Sequence, residues 1–248
     1  MCLPLFSRIY HMKTEVHTSK SRGHANHGWL NAKHSFSFGQ WYNPERIHFG
    51  ALRVLNDDIV APGMGFGKHP HDNMEIITIP LRGSLRHQDS MGFSEVVKAG
   101  EVQVMSAGTG IFHSEMNASQ HEDINLFQIW IFPNKQGVTP RYEQKAYHLK
   151  DSEQAFLQLV SPNADQEGVW IHQNAWIHLI SMSDETENTY VLKGEETGVY
   201  LMNIDGVFDV AGTTLNERDA VGVWETKEIL IQNKQKGKLL VIEVPMKF

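Results

Sequence analysis

The chain has 248 residues and carries 22 Lys and Arg against 29 Asp and Glu, a net charge of −7. That length fits one large domain or two small ones, and the negative balance argues against nucleic acid as a direct partner. The single cysteine, Cys2, excludes an internal disulfide framework and any zinc site that needs two or four thiolates.

At the N-terminus, Met1–Phe6 lacks a basic region and is too short for a secretion signal, and Met12 reads as an alternative start. No apolar run approaches the roughly 18 residues of a membrane span, so no membrane partner and a cytoplasmic location are expected. From there the dominant signal is short apolar runs broken by Gly, Pro, Asn and Asp. Ala51–Leu55, Glu75–Leu81, Val102–Met105 and Leu126–Phe132 are strand-length and rich in Val, Ile and aromatics. A polar break follows over 133–155. Phe156–Val160, Val169–His172, Trp176–Met182, Tyr190–Leu192, Val199–Ile204, Val207–Val210, Ile229–Gln232 and Leu239–Val244 then resume the pattern. Asp205-Gly206 predicts a tight hairpin. No long segment has a helical period; 41–47 and 151–155 are compatible with short helices. The reading is all-β, a sandwich or barrel repeated in two units, 12–140 and 141–248.

Fourteen histidines stand against the one cysteine, eleven of them in the first 121 residues. Any metal site therefore uses imidazole and carboxylate. His69 and His71 are two apart, on one face of an extended chain, with Pro70 between them favouring an edge position. His113 and Glu115 repeat the spacing. Two such pairs on neighbouring strands can converge to three imidazoles and one carboxylate, a donor set that suits Fe, Mn, Co, Ni, Cu or Zn. His17, His24, His27 and His34 read as residues of a polar loop, His121 and His148 likewise, and His87 as a packed structural histidine. Phe66, three residues before the first pair, is a candidate wall of a substrate pocket. Phe36, Phe38, Trp41 and Trp130 read as core. Gly63, Gly65 and Gly67 lack the spacing of a phosphate loop, and no serine sits in a nucleophile elbow.

The framing of these pairs resembles the two motifs of the cupin superfamily. Gly63, His69, His71, Glu75 and Gly83 nearly give the first, with one extra residue before Gly83. Gly100, Gly108, Gly110, His113 and Asn117 partly give the second, with Ser106 where proline is usual. More specifically, the segment from about residue 20 to residue 133 resembles the pirin family. His34–Gly39, Leu52–Asp58, His69–Glu75, His87–Ser90 and Gly100–Glu115 carry the likeness. The resemblance implies a bicupin, two jelly-roll β-barrels with the metal in the first and none in the second. It implies His69, His71, His113 and Glu115 as ligands of one divalent ion, Fe first, with Zn, Mn, Co, Ni or Cu compatible. In other cupins Glu75 would ligate; on the pirin pattern Glu115 replaces it.

Several pirins resemble flavonol dioxygenases (quercetinases). The implied activity is opening of a flavonol ring by O₂ with release of carbon monoxide, Glu115 serving as ligand and base. Other pirins resemble metal-dependent transcriptional cofactors, which implies a regulatory module acting through a protein partner without turnover.

Overall fold

The computed structural model describes residues 12–248, so the readings of Cys2 and of the segment before Met12 lie outside it. In chain order the first half forms β1 (Lys13–His17), β2 (Gly23–Asn26), β3 (Leu30–His34), β4 (Leu52–Val60), β5 (Gly65–His71), β6 (Glu75–Arg82), β7 (Ser84–Asp89), β8 (Ser94–Lys98), β9 (Glu101–Ser106), β10 (Ile111–Asn117), β11 (Ile124–Ile131) and β12 (Arg141–Ala146). The second half adds β13 (Leu157–Ser161), β14 (Val169–Trp170), β15 (Trp176–Met182), β16 (Glu187–Val191), β17 (Thr197–Val210), β18 (Thr213–Leu215), β19 (Ala220–Trp224) and β20 (Glu228–Pro245). Among the described residues the helical pieces are two 3₁₀ turns, Ser19–Ser21 and Leu149–Ser152; the segment 41–47 is not helical. No helix among them is long and apolar enough to cross a membrane.

The strands make three sheets. A seven-stranded sheet, β12-β9-β6-β11-β4-β3-β2, and a four-stranded sheet, β5-β10-β7-β8, enclose the first unit. A nine-stranded sheet along β1-β19-β17-β20-β15-β13-β14, with β16 and β18 attached, forms the second. Two strands cross the division expected at residue 140. Arg141–Ala146 pairs with β9 of the first unit, and Lys13–His17 pairs with β19 of the second.

Alternation decides where each side chain goes. On β6, Ile77 and Ile79 enter the largest core cluster; on β11, Phe127, Ile129 and Ile131 do the same. That cluster also holds Ile177, Tyr200, Leu240, Ile242 and Val244 from the second half, so it is the seam between the units. The intervening residues Ile76, Thr78, Gln128 and Trp130 face the interior of the first unit. A strand buried on both faces reads as a near-continuous apolar run, as 76–81 and 126–131 do apart from Thr78 and Gln128.

Asp205-Gly206 is not a hairpin. The chain continues through it as β17, and β20 likewise runs unbroken from Glu228 to Pro245. The pairing register shifts on both sides of Asp205, and Gly206 takes the extra residue with φ +86°. Gly237 faces it so closely that a Cβ there would lie 2.0 Å from the Asp205 carbonyl oxygen. Asp-Gly here marks a bulge that bends two long strands together.

Backbone approach also governs the four-stranded sheet. A Cβ on Gly65 would lie 2.2 Å from the Glu115 carbonyl oxygen, whereas one on Gly67 would meet nothing within 4 Å. Gly65→Ala is therefore expected to destabilise by about 1–3 kcal/mol through overpacking, and Gly67→Ala to stay within about 0.5 kcal/mol of the parent. Urea unfolding of the two variants checks this.

Candidate metal centre

β5 is an edge strand, which is why Pro70 costs no ladder hydrogen bond there. Its partner β10 places His113 opposite His69 and Ile111 opposite His71, with a register shift between His113 and Glu115. The three imidazoles converge. Ring centroids are 4.4 Å apart for His69 and His113, and 4.9 Å for His71 with each of them. One nitrogen from each of the three lies within 4.8 Å of the others.

The environment suits a cation. His69 Nδ1 donates to the Gly67 carbonyl at 2.7 Å, which leaves Nε2 with its lone pair. His113 is 1% exposed, and neither of its ring nitrogens has a hydrogen-bond partner among the described residues. Two bare nitrogens on one buried ring are unusual without a ligand to take one of them. Burial holds His113 down to about 3, with His69 and His87 adding to the effect; burial likewise holds His71 down to about 4, with His113 and His69 adding. Both rings are thus neutral at pH 7, as metal donors must be.

Glu115, 3% exposed, accepts from Gln128 Nε2 at 2.9 Å and from Thr78 Oγ1 at 3.3 Å. Its carboxylate groups with His113 and with His87, the residue opposite it on β7, rather than with His69 and His71. His113 is common to both groups.

The donors meet a cavity of about 220 Å³ lined by apolar Leu30, Ala32, Phe66, Ile76, Phe38 and Trp130, with His34, Asn56 and Asp58 adding polar groups. Phe66 thus stands on the cavity wall, packed edge-on to Trp29 at 5.4 Å. Phe38 and Trp130, read from sequence as core, also face the cavity, and the Trp130 ring lies 4.9 Å from His71. His34 is not in a polar loop. It ends β3, is buried, and bonds Asn56 at 2.9 Å. The period-2 run Leu30, Ala32, His34 signals this strand, but it lacks the β-branched residues that mark β4, β6, β9 and β11. His17 is also on a strand, bonded to Tyr200 Oη at 2.9 Å.

Asp58 escaped notice in the sequence. It is 3% exposed, and its Oδ1 has no hydrogen-bond partner among the described residues. Burial pushes its carboxyl up to about 8, with Asp57 and Glu115 adding like charge. Glu75 lies on the other face of β6 from Thr78, accepting from Ser106 Oγ at 2.6 Å, toward Arg141 and the backbone of His172. A larger cleft of about 720 Å³ between the units contains none of these imidazoles.

Two β-sandwich units joined through a common core, the first with an imidazole cluster inside it, define a bicupin. Residues 15–131 match the family Pirin and residues 158–244 the family described as Quercetinase C-terminal cupin domain. Quercetin 2,3-dioxygenase of Escherichia coli K12 is 40% identical over 92% of this chain and 96% of the relative. A Pirin-like protein of Caulobacter vibrioides is 40% identical over 89% and 95%. The crystal structure of the bacterial pirin YhhW of Escherichia coli in complex with nickel(II) superposes with a TM-score of 0.88, at 38% identity, over 94% of this chain and 99% of that one. The chain belongs to the pirin family.

Glu75 supplies a pH test. Burial pushes its carboxyl up to about 7, against the pull of Ser106 and Arg141. A carboxyl raised on folding loses stability as pH climbs from its unfolded value through its folded one, here from about 4.5 to about 7. Glu75→Gln is therefore expected to match the parent near pH 4 and exceed it above pH 7, by on the order of 3 kcal/mol. Denaturant unfolding across this range measures the difference.

Proposed function

We propose that the protein is a metal-dependent dioxygenase that opens the ring of a flavonol with O₂ and releases carbon monoxide. The observation that carries this reading is the cluster of three imidazoles, His113 with both ring nitrogens unpartnered, at the end of a small apolar cavity. The name of the Escherichia coli relative supports the flavonol, and nickel(II) in the YhhW crystal fits the same donor chemistry. His69, His71, His113 and Glu115 would hold one divalent ion, Fe being the ion proposed for the cell. Such an ion supplies positive charge that lowers the pKa of a bound hydroxyl and fixes its oxygen in place.

The rest falls to the chain. Trp130, Phe38 and Phe66 sandwich planar rings and keep water away. Glu115 takes the proton of the flavonol 3-hydroxyl. Gln128 and Thr78 fix its carboxylate by donating to it, so the base is aimed before substrate arrives. Asp58, its carboxyl pushed up to about 8 by burial, donates a hydrogen bond to a substrate oxygen from the cavity wall when protonated. Atoms of one flavonol and one O₂ leave as one ring-opened ester and one carbon monoxide, with no further reductant.

Quercetin incubated under air with the metal-loaded protein should lose its flavonol absorbance. Chelation or His113→Ala should return the rate to that of free quercetin. A fully metallated protein that turns over no flavonol defeats the reading and leaves a regulatory module acting through a protein partner. Asp58→Ala should lower kcat/KM about tenfold, the worth of one hydrogen bond, while Asp58→Asn keeps a donor and loses less.

A further inference from the structure

The cleft between the two units is separate from the imidazole cluster and has a chemistry of its own. At about 720 Å³ it is large enough for a drug-sized molecule. Its bottom is apolar. Ile79 and Phe127 of the first unit and Leu179, Ile204 and Leu240 of the second line it, and all five belong to the seam core. The bulge of β17 and β20 falls at its edge, with Asp205 and Lys238 on the wall. Two more apolar side chains on this cleft stand open to water: Ile59 is 37% exposed and Leu149 51%. Tyr147 packs its ring against the seam core, and its hydroxyl has no hydrogen-bond partner among the described residues. Burial pushes that hydroxyl up to about 12, so it keeps its proton and can donate.

The net charge of the chain is −7, yet the lining of this cleft is positive. Arg82, Lys150, Arg218 and Lys238 face it against Asp205 and Glu217. Lys238 is paired with Asp205 at 2.9 Å. Arg218 lies 3.4 Å from Asp57 and donates to Asn125 Oδ1 at 3.2 Å. Arg82 and Lys150 are exposed and form no ion pair among the described residues. A neutral apolar molecule would cover the bottom and leave these two cations without a partner. A small inorganic anion would meet the cations and leave the bottom wet. A molecule that carries both an anionic head and an apolar body satisfies both parts.

We infer that the cleft binds an organic carboxylate with a large apolar body, the carboxylate held by Arg82 and Lys150 and the body laid on the seam. Both units line the site, so the bound molecule bridges them and stabilises the folded chain by mass action. The inference stands apart from the metal centre and does not rest on the dioxygenase reading.

The probe is 1-pyrenebutyrate, its fluorescence titrated with the full-length protein, and 1-pyrenebutanol is the uncharged control. The carboxylate is expected to bind about tenfold more tightly than the alcohol, and more weakly as salt is raised. Arg82→Ser combined with Lys150→Ser should weaken it about tenfold, as two exposed ion pairs would. Glu217→Gln removes the opposing charge and should tighten binding about twofold. All three positions are exposed, and thermal unfolding checks that each variant keeps the parent's fold. His113→Ala should leave the affinity for the probe unchanged. Absence of binding to the parent, equal affinity for the alcohol, or a folded double variant within about twofold of the parent overturns the inference. Loss of binding in His113→Ala puts the probe in the metal cavity and overturns it as well.

Discussion

Strand β10 is hydrogen-bonded along both edges, to β5 on one side and to β7 on the other, and the register of those two pairings places every candidate donor. It sets His113 against His69, and Glu115 against His87. Side chains in a strand alternate between faces, so a slip of one residue would turn His113 and Glu115 out of the unit altogether. Gly65 permits the close approach of the two backbones at the point where the β5 register shifts. The chemistry of the centre therefore rests on backbone pairing before it rests on any imidazole. The seven-stranded sheet contributes from the facing wall. Its odd-numbered residues on β6 and β11 seal the seam with the second unit, while Thr78, Gln128 and Trp130 turn inward to the site.

Much of this was legible in the sequence. The strand runs, the Gly-framed His-x-His and His-x-Glu pairs, and the likeness to pirins all point to a two-unit β-fold, and the family match agrees. What escaped was information that lives in pairing rather than in order. His34 ends a strand whose small and polar residues do not look like one, and Asp58 reads as turn chemistry after Asn56-Asp57 although it lies inside β4. Asp205-Gly206 has the composition of a hairpin turn. Only the glycine facing it on β20 reveals a bulge.

The second unit invests its buried polar groups in structure. Glu243, fully buried, accepts from Tyr190 Oη at 2.8 Å, Thr197 Oγ1 at 2.7 Å and the backbone of Lys193 and Gly194. Tyr190 Oη also lies 3.3 Å from His178 Nδ1, and burial holds that ring down to about 3. A carboxylate surrounded by this many donors is already satisfied and has little to offer an ion. The contrast with His113, whose nitrogens are both bare, separates a polar group used for cohesion from one held ready for a ligand.

The exchange of edge strands has a consequence for the order of synthesis. β1 is translated before the other strands of both units, yet its hydrogen-bond partners lie at 220–224. β12, by contrast, follows directly after the strands it completes. The first unit can therefore close its sheets as it emerges from the ribosome, while β1 waits, unpaired, until nearly all of the second unit has been made. Among the described strands, the earliest to be synthesised is among the last to find its place.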